Sequence, residues 1–560
     1  MLLTVGRFGS AGKRPVRRRD GAANDANGLD WRQRLNRVNA STDEAGKELP
    51  IAWESSLLPP QMFRELYLPR WLVLYGVCVP LALVLGYLLA TPWAFTSYAT
   101  VGLVLCVLSI PLLLRWHFPL LIASWNAAIL FPFLPGQPYI WTVAAVGSLA
   151  LTLLQRIMDR QYQPVSVPSV ARPLILLGIW VTITAFVTGG FGGRALGEEL
   201  WGGKKYLGVL GAAVGFFALT AHRIPAEKAR RYSSLFFLSG LTLALSDLVY
   251  MAGPAFYGLY WFLPAEMAGS QAVSTEQLWR LGGIGFAAQY LVWFLMARFG
   301  IRGLFDLTRP WRMLALGGAF GLALLGGFRS TLILLGMLWV VQFYLEGMFR
   351  TRLAFVFSLA VALVGVITVT FADRLPIPIQ RSLSFLPIPN LDRKAKLDAQ
   401  GTLDWRIQIW KTVAPEVPRY LLFGKGFAYN GTDYYLTTEA IGRGFAYTVD
   451  EATLISGNYH QGILTVIIPF GIWGLLLFGW FCWSSLKILL RHRRNGKESL
   501  RLTNTFILAM FVTRLFFYIF LYGQFELDLP VLVGLIGLSV ALNGGVANPR
   551  KATVEPSAPA

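Results

Sequence analysis

Long uninterrupted stretches of apolar residues constrain this chain more than anything else in it. A helix needs about 20 such residues to cross roughly 30 Å of hydrocarbon, and about fourteen runs of that order follow one another here. They cover approximately 71–90, 96–114, 117–134, 138–156, 171–190, 206–221, 232–253, 281–298, 313–328, 330–347, 353–372, 460–485, 502–522 and 530–545. Only 14% of the 560 residues are charged and 55% are hydrophobic, too few charges for the surface of a soluble protein of this size. The expectation is an all-α, polytopic membrane protein with about 12–14 transmembrane helices.

A net charge of +20 would ordinarily raise nucleic acid as a partner. Its distribution points elsewhere. Lysine and arginine gather at one set of helix ends, as in Arg223, Lys228, Arg230 and Arg231, or Lys487, Arg491, Arg493, Arg494 and Lys497. The short loops on the other side hold Arg194, Lys204, Lys205 and Arg280. Basic loops stay in the cytoplasm, so both termini are expected there, with membrane lipid as partner and no nucleic acid. Residues 1–50 read as a disordered basic cytoplasmic tail with no cleavable leader, and its Lys13, Arg14, Arg17, Arg18 and Arg19 would touch anionic lipid. An interfacial segment, 51–70, leads into an N-terminal transmembrane bundle over 71–372. A large periplasmic loop domain fills 373–459, C-terminal transmembrane helices fill 460–545, and 546–560 is a cytoplasmic tail. Cys78, Cys106 and Cys482 all fall in spans, so neither a disulfide nor a cysteine metal site is expected.

An outer loop this long in a compact membrane protein usually has a function. Its prolines, Pro376, Pro378, Pro387 and Pro389, predict an extended start. Over 403–413, Trp405, Ile409, Trp410 and Val413 share one helical face, which predicts an amphipathic helix against the membrane surface, ended by Pro415 and Pro418. A tight glycine turn follows at 422–427. It lacks the spacing of a nucleotide-binding phosphate loop. Tyr420, Tyr429, Tyr434, Tyr435 and Tyr447, interleaved with balanced charges, suit either a sugar-binding surface or a solvated small domain.

Ionisable groups at membrane depth are expensive and therefore informative. Arg329 interrupts two apolar runs at the outer side, as an anion ligand or as an arginine snorkelling to the interface. Arg514, deep in 502–522, needs a partner, and Asp247 in 232–253 is the candidate. Of the four histidines, His460 alone lies where the outer loop meets an apolar run. His117, His222 and His492 lie beside arginines on the opposite side.

Three pieces of sequence resemble the O-antigen ligase and polymerase superfamily of bacterial membrane glycosyltransferases. The first is Phe328, Arg329, Ser330 between two spans. The second is Trp405, Arg406 and Trp410, followed by the run from Tyr420 to Phe427. The third is His460, followed by Ile463, Leu464 and the Gly471, Gly474, Leu475 helix. Their order and rough spacing match over 310–480; Gln461 stands where the family usually has asparagine. The resemblance implies inverting, metal-independent transfer of a glycan from a polyprenyl (undecaprenyl) diphosphate carrier to a lipid, glycan or protein acceptor. That chemistry would take place at the periplasmic face of the bacterial inner membrane, with no cofactor. It gives His460, Arg329 and Arg406 catalytic roles, His460 as base and the arginines on the diphosphate. Arg194, Lys204, Lys205, Trp405, Lys425 and Tyr459 are candidate ligands for diphosphate or glycan. A polysaccharide polymerase and a protein O-oligosaccharyltransferase remain open within the superfamily. Outside it stands a transporter or flippase using Arg514 and Asp247, although no repeated halves are visible.

Overall fold

The computed structural model describes residues 70–90, 95–134, 136–158, 164–193, 199–265, 268, 280–443 and 450–547. The expected tail over 1–50 and interfacial segment over 51–70 lie outside the described residues, apart from Arg70, as does most of the tail over 546–560. The chain divides into two units, Met1–Gly102 and Leu103–Ala560. Within the first, α1 (Arg70–Ala90) is an apolar helix carrying Pro80, and α2 (Phe95–Ser124) begins. The candidate site lies wholly in the second unit.

There α2 is followed by α3 (Ile140–Met158), α4 (Pro168–Val187), β1 (Leu200–Trp201), α5 (Gly203–Thr220), α6 (Ala226–Leu238) and α7 (Ala244–Ala252). Next come α8 (Gly282–Leu304), α9 (Trp311–Leu324), α10 (Arg329–Leu345) and α11 (Arg352–Thr370). The loop region holds α12 (Ile377–Leu383), α13 (Arg393–Val413), α14 (Val417–Tyr420), β2 (Tyr429–Asn430), α15 (Gly431–Gly442) and α16 (Asp450–Ser456). Three helices close the chain: α17 (Leu464–Asn495), α18 (Arg501–Phe520) and α19 (Phe525–Asn543).

Among the described residues, seven helices are long and apolar enough to cross a membrane: α3, α4, the continuous stretch Ala226–Ala252, α8, α17, Glu498–Phe520 and α19. Side chains on their flanks would be untenable in water; Phe186 is 70% exposed and, on the shorter apolar helices, Leu314 and Phe355 are both 75% exposed. Such a surface needs lipid against it. This is a helical membrane protein. Its interior is closed by packing of α19 against α5, α4 against α17, and α8 against α6 and α18.

The two ends of the bundle differ. At one, His492 bonds through its ring to Ser539 Oγ and the Gly545 carbonyl, both at 2.8 Å, and Asn504 pairs with Asn543. The last turn of α17 at this end also carries Arg493 and Arg494. At the other, β1 and β2 pair antiparallel, joining the loop region to the start of α5.

Several expectations change. The runs 96–114 and 117–134 form one helix to Ser124, then irregular chain. His117 tolerates this because its ring bonds Ser148 Oγ at 2.8 Å and packs on His222 at 4.9 Å, so no loop is needed to hydrate it. The loop is not extended at its start: Pro378 sits in the first turn of α12, where a missing N–H is harmless. The amphipathic helix begins at Arg393 rather than 403, with Asp392 capping Lys394 N. Its apolar face packs on protein: Ile409 and Val413 are buried with Tyr459, Ile467 and Ile468.

Arg514 pairs with Asp528 at 2.9 Å, not with Asp247. Asp247 instead accepts from Ile284 N at 2.7 Å, satisfying a first-turn amide of α8. Sequence shows two acids on neighbouring apolar runs; only packing of α18 beside the start of α19 decides which one meets the guanidinium.

Candidate functional site

The backbone of 457–462 is held before any ligand arrives. His460 has φ +53, a left-handed conformation that costs a non-glycine residue on the order of 1 kcal/mol or more. Its neighbours over-determine it. Trp410 Nε1 donates to the Tyr459 carbonyl at 3.0 Å, and Tyr518 OH and Thr465 Oγ1 both donate to the Gly462 carbonyl at 2.7 Å. Lys205 Nζ donates to the Ser456 carbonyl at 2.6 Å and to Asn458 Oδ1 at 2.8 Å. Gln461 accepts from Leu464 N at 2.6 Å, capping α17. The side chain that departs from the family pattern thus has a local structural duty.

The His460 ring lies between Trp405, 5.1 Å between centroids, and Tyr522 at 5.4 Å. Arg406 places its guanidinium 5.2 Å from the centre of the same Tyr522 ring. His460 Nδ1 and Arg406 Nε are both buried without a hydrogen-bond partner. Burial, then the positive charges of Arg406 and Lys205, lower the His460 pKa to about 4. Burial and the charge of Arg381 likewise lower that of Arg406. At neutral pH this group is therefore a neutral imidazole beside a half-buried cation with no carboxylate among its described contacts. An anion would be welcome there.

Arg329 stands beside a turn that reaches this group through another arginine. It opens α10 directly after Gly327 and Phe328, and the Gly327 carbonyl accepts from the buried Arg381 at 2.6 Å. Arg381 is in turn the charge felt by Arg406. Arg280 runs along the same turn, 3.5 Å from where a Cβ on Gly327 would stand.

Lys425 and Tyr459 form the other flank. Burial lowers the Lys425 pKa, with Lys205 adding to the effect and Glu416 opposing it. Its Nζ sits 5.6 Å from the Tyr459 ring and 5.9 Å from that of Tyr420. Tyr459 is 1% exposed, its hydroxyl buried without a partner. Burial pushes its phenol well above the usual range. Lys204 stands apart, 5.3 Å over the Tyr139 ring. Arg194 lies outside the described residues.

The turn that carries Lys425 enters the bundle. Helix α17 breaks at Gly471, φ +64, two residues after Pro469. Lys425 N and Gly426 N donate at 2.9 Å to the Ile468 and Pro469 carbonyls, and Ile472 N donates to Leu421 O at 2.6 Å. Non-helical backbone at this depth survives only where protein satisfies it, and here two broken segments satisfy each other. A Cβ on Gly424 would collide with the Pro469 carbonyl.

Beside the His460 group, not on it, lies a cavity of about 1330 Å³. Trp201, Tyr429 and Tyr434 ring one part; Trp125, Trp141, Tyr290 and Trp293 line another. Asn458, Lys204, Lys205, Arg514 and Glu526 supply its polarity. Lys205 is the shared wall, bonded to the 456–458 loop and paired with Glu526 at 3.4 Å.

Sequence reading missed Tyr522, Arg381 and this cavity. Tyr522 carried a weak signal as an aromatic at a span end; Arg381 was one basic loop residue among many. No family model matches the chain, and no curated protein matches it.

Proposed function

We propose that this protein transfers a glycan from a polyprenyl diphosphate carrier to an acceptor hydroxyl, in the manner of an O-antigen ligase. The observation that carries the reading is the pairing of a neutral His460 with a half-buried Arg406 on one aromatic ring, at the end of the bundle opposite the basic one. With the basic ends in the cytoplasm, this group faces the periplasm, where a membrane-dissolved carrier presents its diphosphate. Both termini are then cytoplasmic. Four shorter apolar helices, Cys78–Tyr87, Trp311–Leu324, Arg329–Leu345 and Ala354–Thr370, raise the crossings toward the 12–14 expected from sequence.

In the proposed reaction the acceptor oxygen attacks the anomeric carbon from the face opposite the diphosphate. A carbon–oxygen bond forms, the bond to the phosphate oxygen breaks, and configuration inverts. The acceptor proton passes to His460. Arg406 and Arg329 stabilise the electron pair leaving on the diphosphate, the largest kind of contribution in such reactions. A pKa of about 4 makes free His460 a weak base. A bound diphosphate offsets the surrounding cations and raises that basicity when it is needed. The cavity beyond Lys205 suits the acceptor, its rings and polar groups facing a hydroxyl-rich molecule.

The test is reconstitution with carrier-linked glycan and, in parallel, lipid, glycan and protein acceptors. Alanine at His460, Arg406 or Arg329 should abolish transfer while membrane insertion stays normal. Near-normal transfer by all three variants overturns the reading. The acceptor that works separates ligase, polymerase and protein glycosylation.

A further inference from the structure

Two lysines, Lys204 and Lys205, open α5, and no acidic residue stands in that first turn. A helix N-terminus is electropositive, so cations there are locally unfavourable. Residues that break a local rule tend to answer to a tertiary one. The two side chains go different ways. Lys204 is exposed and stands over the Tyr139 ring, 5.3 Å from its centre. Lys205 turns inward, its side chain only 16% exposed.

Its Nζ donates to the Ser456 carbonyl at 2.6 Å and to Asn458 Oδ1 at 2.8 Å, and lies 3.4 Å from Glu526 Oε1. An ammonium has three N–H donors, and three oxygens surround this one. Gly457 brings the first two together. With φ +71 it turns the chain so that the carbonyl before it and the side chain after it face one nitrogen. An incoming diphosphate oxygen would have to displace one of the three.

Those oxygens belong to separate parts of the fold. Ser456 ends α16, Asn458 lies two residues before His460, and Glu526 is in the first turn of α19. Lys205 thus ties the N-terminal side of the His460 turn to the starts of two bundle helices. Trp410 and Tyr518 hold the other side, at the Tyr459 and Gly462 carbonyls. Of these three donors Lys205 alone is charged, and charge-assisted hydrogen bonds are the stronger kind.

We propose that Lys205 is a positioning residue: it fixes the 456–460 backbone, and with it the His460 ring, against the starts of α5 and α19, and makes no bond to the carrier's diphosphate. Its part in transfer rests on the reaction proposed above; its hold on the turn does not. A base works only within hydrogen-bond reach of the proton it takes. The left-handed backbone of His460 persists only where its neighbours impose it. Without the ammonium, that side of the turn is released and the ring loses its place.

The experiment measures hydrogen exchange of the 456–462 amides in the full chain in detergent, and transfer from carrier-linked glycan. The variants are Lys205→Met, Lys205→Met with Glu526→Gln so that no carboxylate is stranded, and Asn458→Ala, which leaves the ion pair whole. Lys411→Met, an exposed lysine on α13, is the control and should match wild type. Both Lys205 variants should exchange the turn about ten-fold faster, and Asn458→Ala about three-fold faster, while the core of α19 keeps its protection. In the Lys205 variants kcat should fall about 10²-fold, the cost of a misplaced group, with KM for the carrier nearly unchanged. Wild-type exchange in all three variants overturns the proposal. So does a raised carrier KM at unchanged kcat, the mark of a lysine that binds the diphosphate. A turn that loosens in a protein without any transfer activity supports the positioning and refutes the reaction alone.

Discussion

His460 shows how far one residue's chemistry depends on what surrounds it. Its imidazole is ordinary in sequence; burial and two cations bring its pKa to about 4. Removing one cation should reverse part of this. In Arg406→Gln the midpoint of His460 modification by diethyl pyrocarbonate should move upward, toward the ordinary value of about 6.5. An unmoved midpoint would show that Arg406 does not act on the ring. The same shift has a sign for stability. The unfolded chain protonates His460 below about 6.5 and the folded protein only near 4. Acidification through that window therefore favours unfolding, and above it the contribution is constant. His460→Ala should lower the transfer rate by about 10²–10⁴-fold, the usual share of a general base, measured as initial rate with saturating carrier.

At the scale of elements, two pairings hold the site in place. The break in α17 and the turn at 421–427 exchange backbone hydrogen bonds, so neither can change without exposing the other's amides. Gly471→Ala forces a side chain into φ +64 and against the Leu422 carbonyl. We expect a loss of about 1–3 kcal/mol, read as a fall in Tm in detergent. The Arg514–Asp528 pair joins α18 to α19, its side chains 19% and 10% exposed. Breaking it from one side should cost about 3–5 kcal/mol because the remaining charge is stranded. A double-mutant cycle should show coupling between positions 514 and 528 and none between 514 and 247. Coupling to 247 instead would contradict the arrangement of these helices. Asp247 serves instead as the acceptor for a helix-start amide.

On the largest scale, the helical bundle of the second unit has two unlike ends. Paired loops, the His460 group and the cavity occupy one; the buried His492, with Arg493 and Arg494 beside it, occupies the other. Single cysteines at Lys411 and Arg494, in a chain whose own Cys78, Cys106 and Cys482 are replaced, should react with a membrane-impermeant thiol reagent from opposite sides. In intact cells only the Lys411 position should label. Labelling of both from one side would remove the basis for placing the site outside the cytoplasm.

Apolar length and the placement of lysine and arginine were enough to read a helical membrane protein from the chain, because crossing hydrocarbon is a local requirement that each segment meets by itself. The positions of α9, α10, α18 and α19 follow the runs at 313–328, 330–347, 502–522 and 530–545 within a few residues. His460 was legible as a lone polar group where the outer loop meets an apolar run, whereas Arg406 became a candidate only through the family resemblance. What they meet was not legible. That Tyr522 seats both, that Arg381 holds the Gly327 turn and acts on Arg406, that Asp528 takes Arg514, and that a cavity opens beyond Lys205 all depend on contacts between residues far apart in the chain. In apolar helices many faces are equally greasy, so sequence pattern cannot choose among partners. Only the packing of specific side chains does.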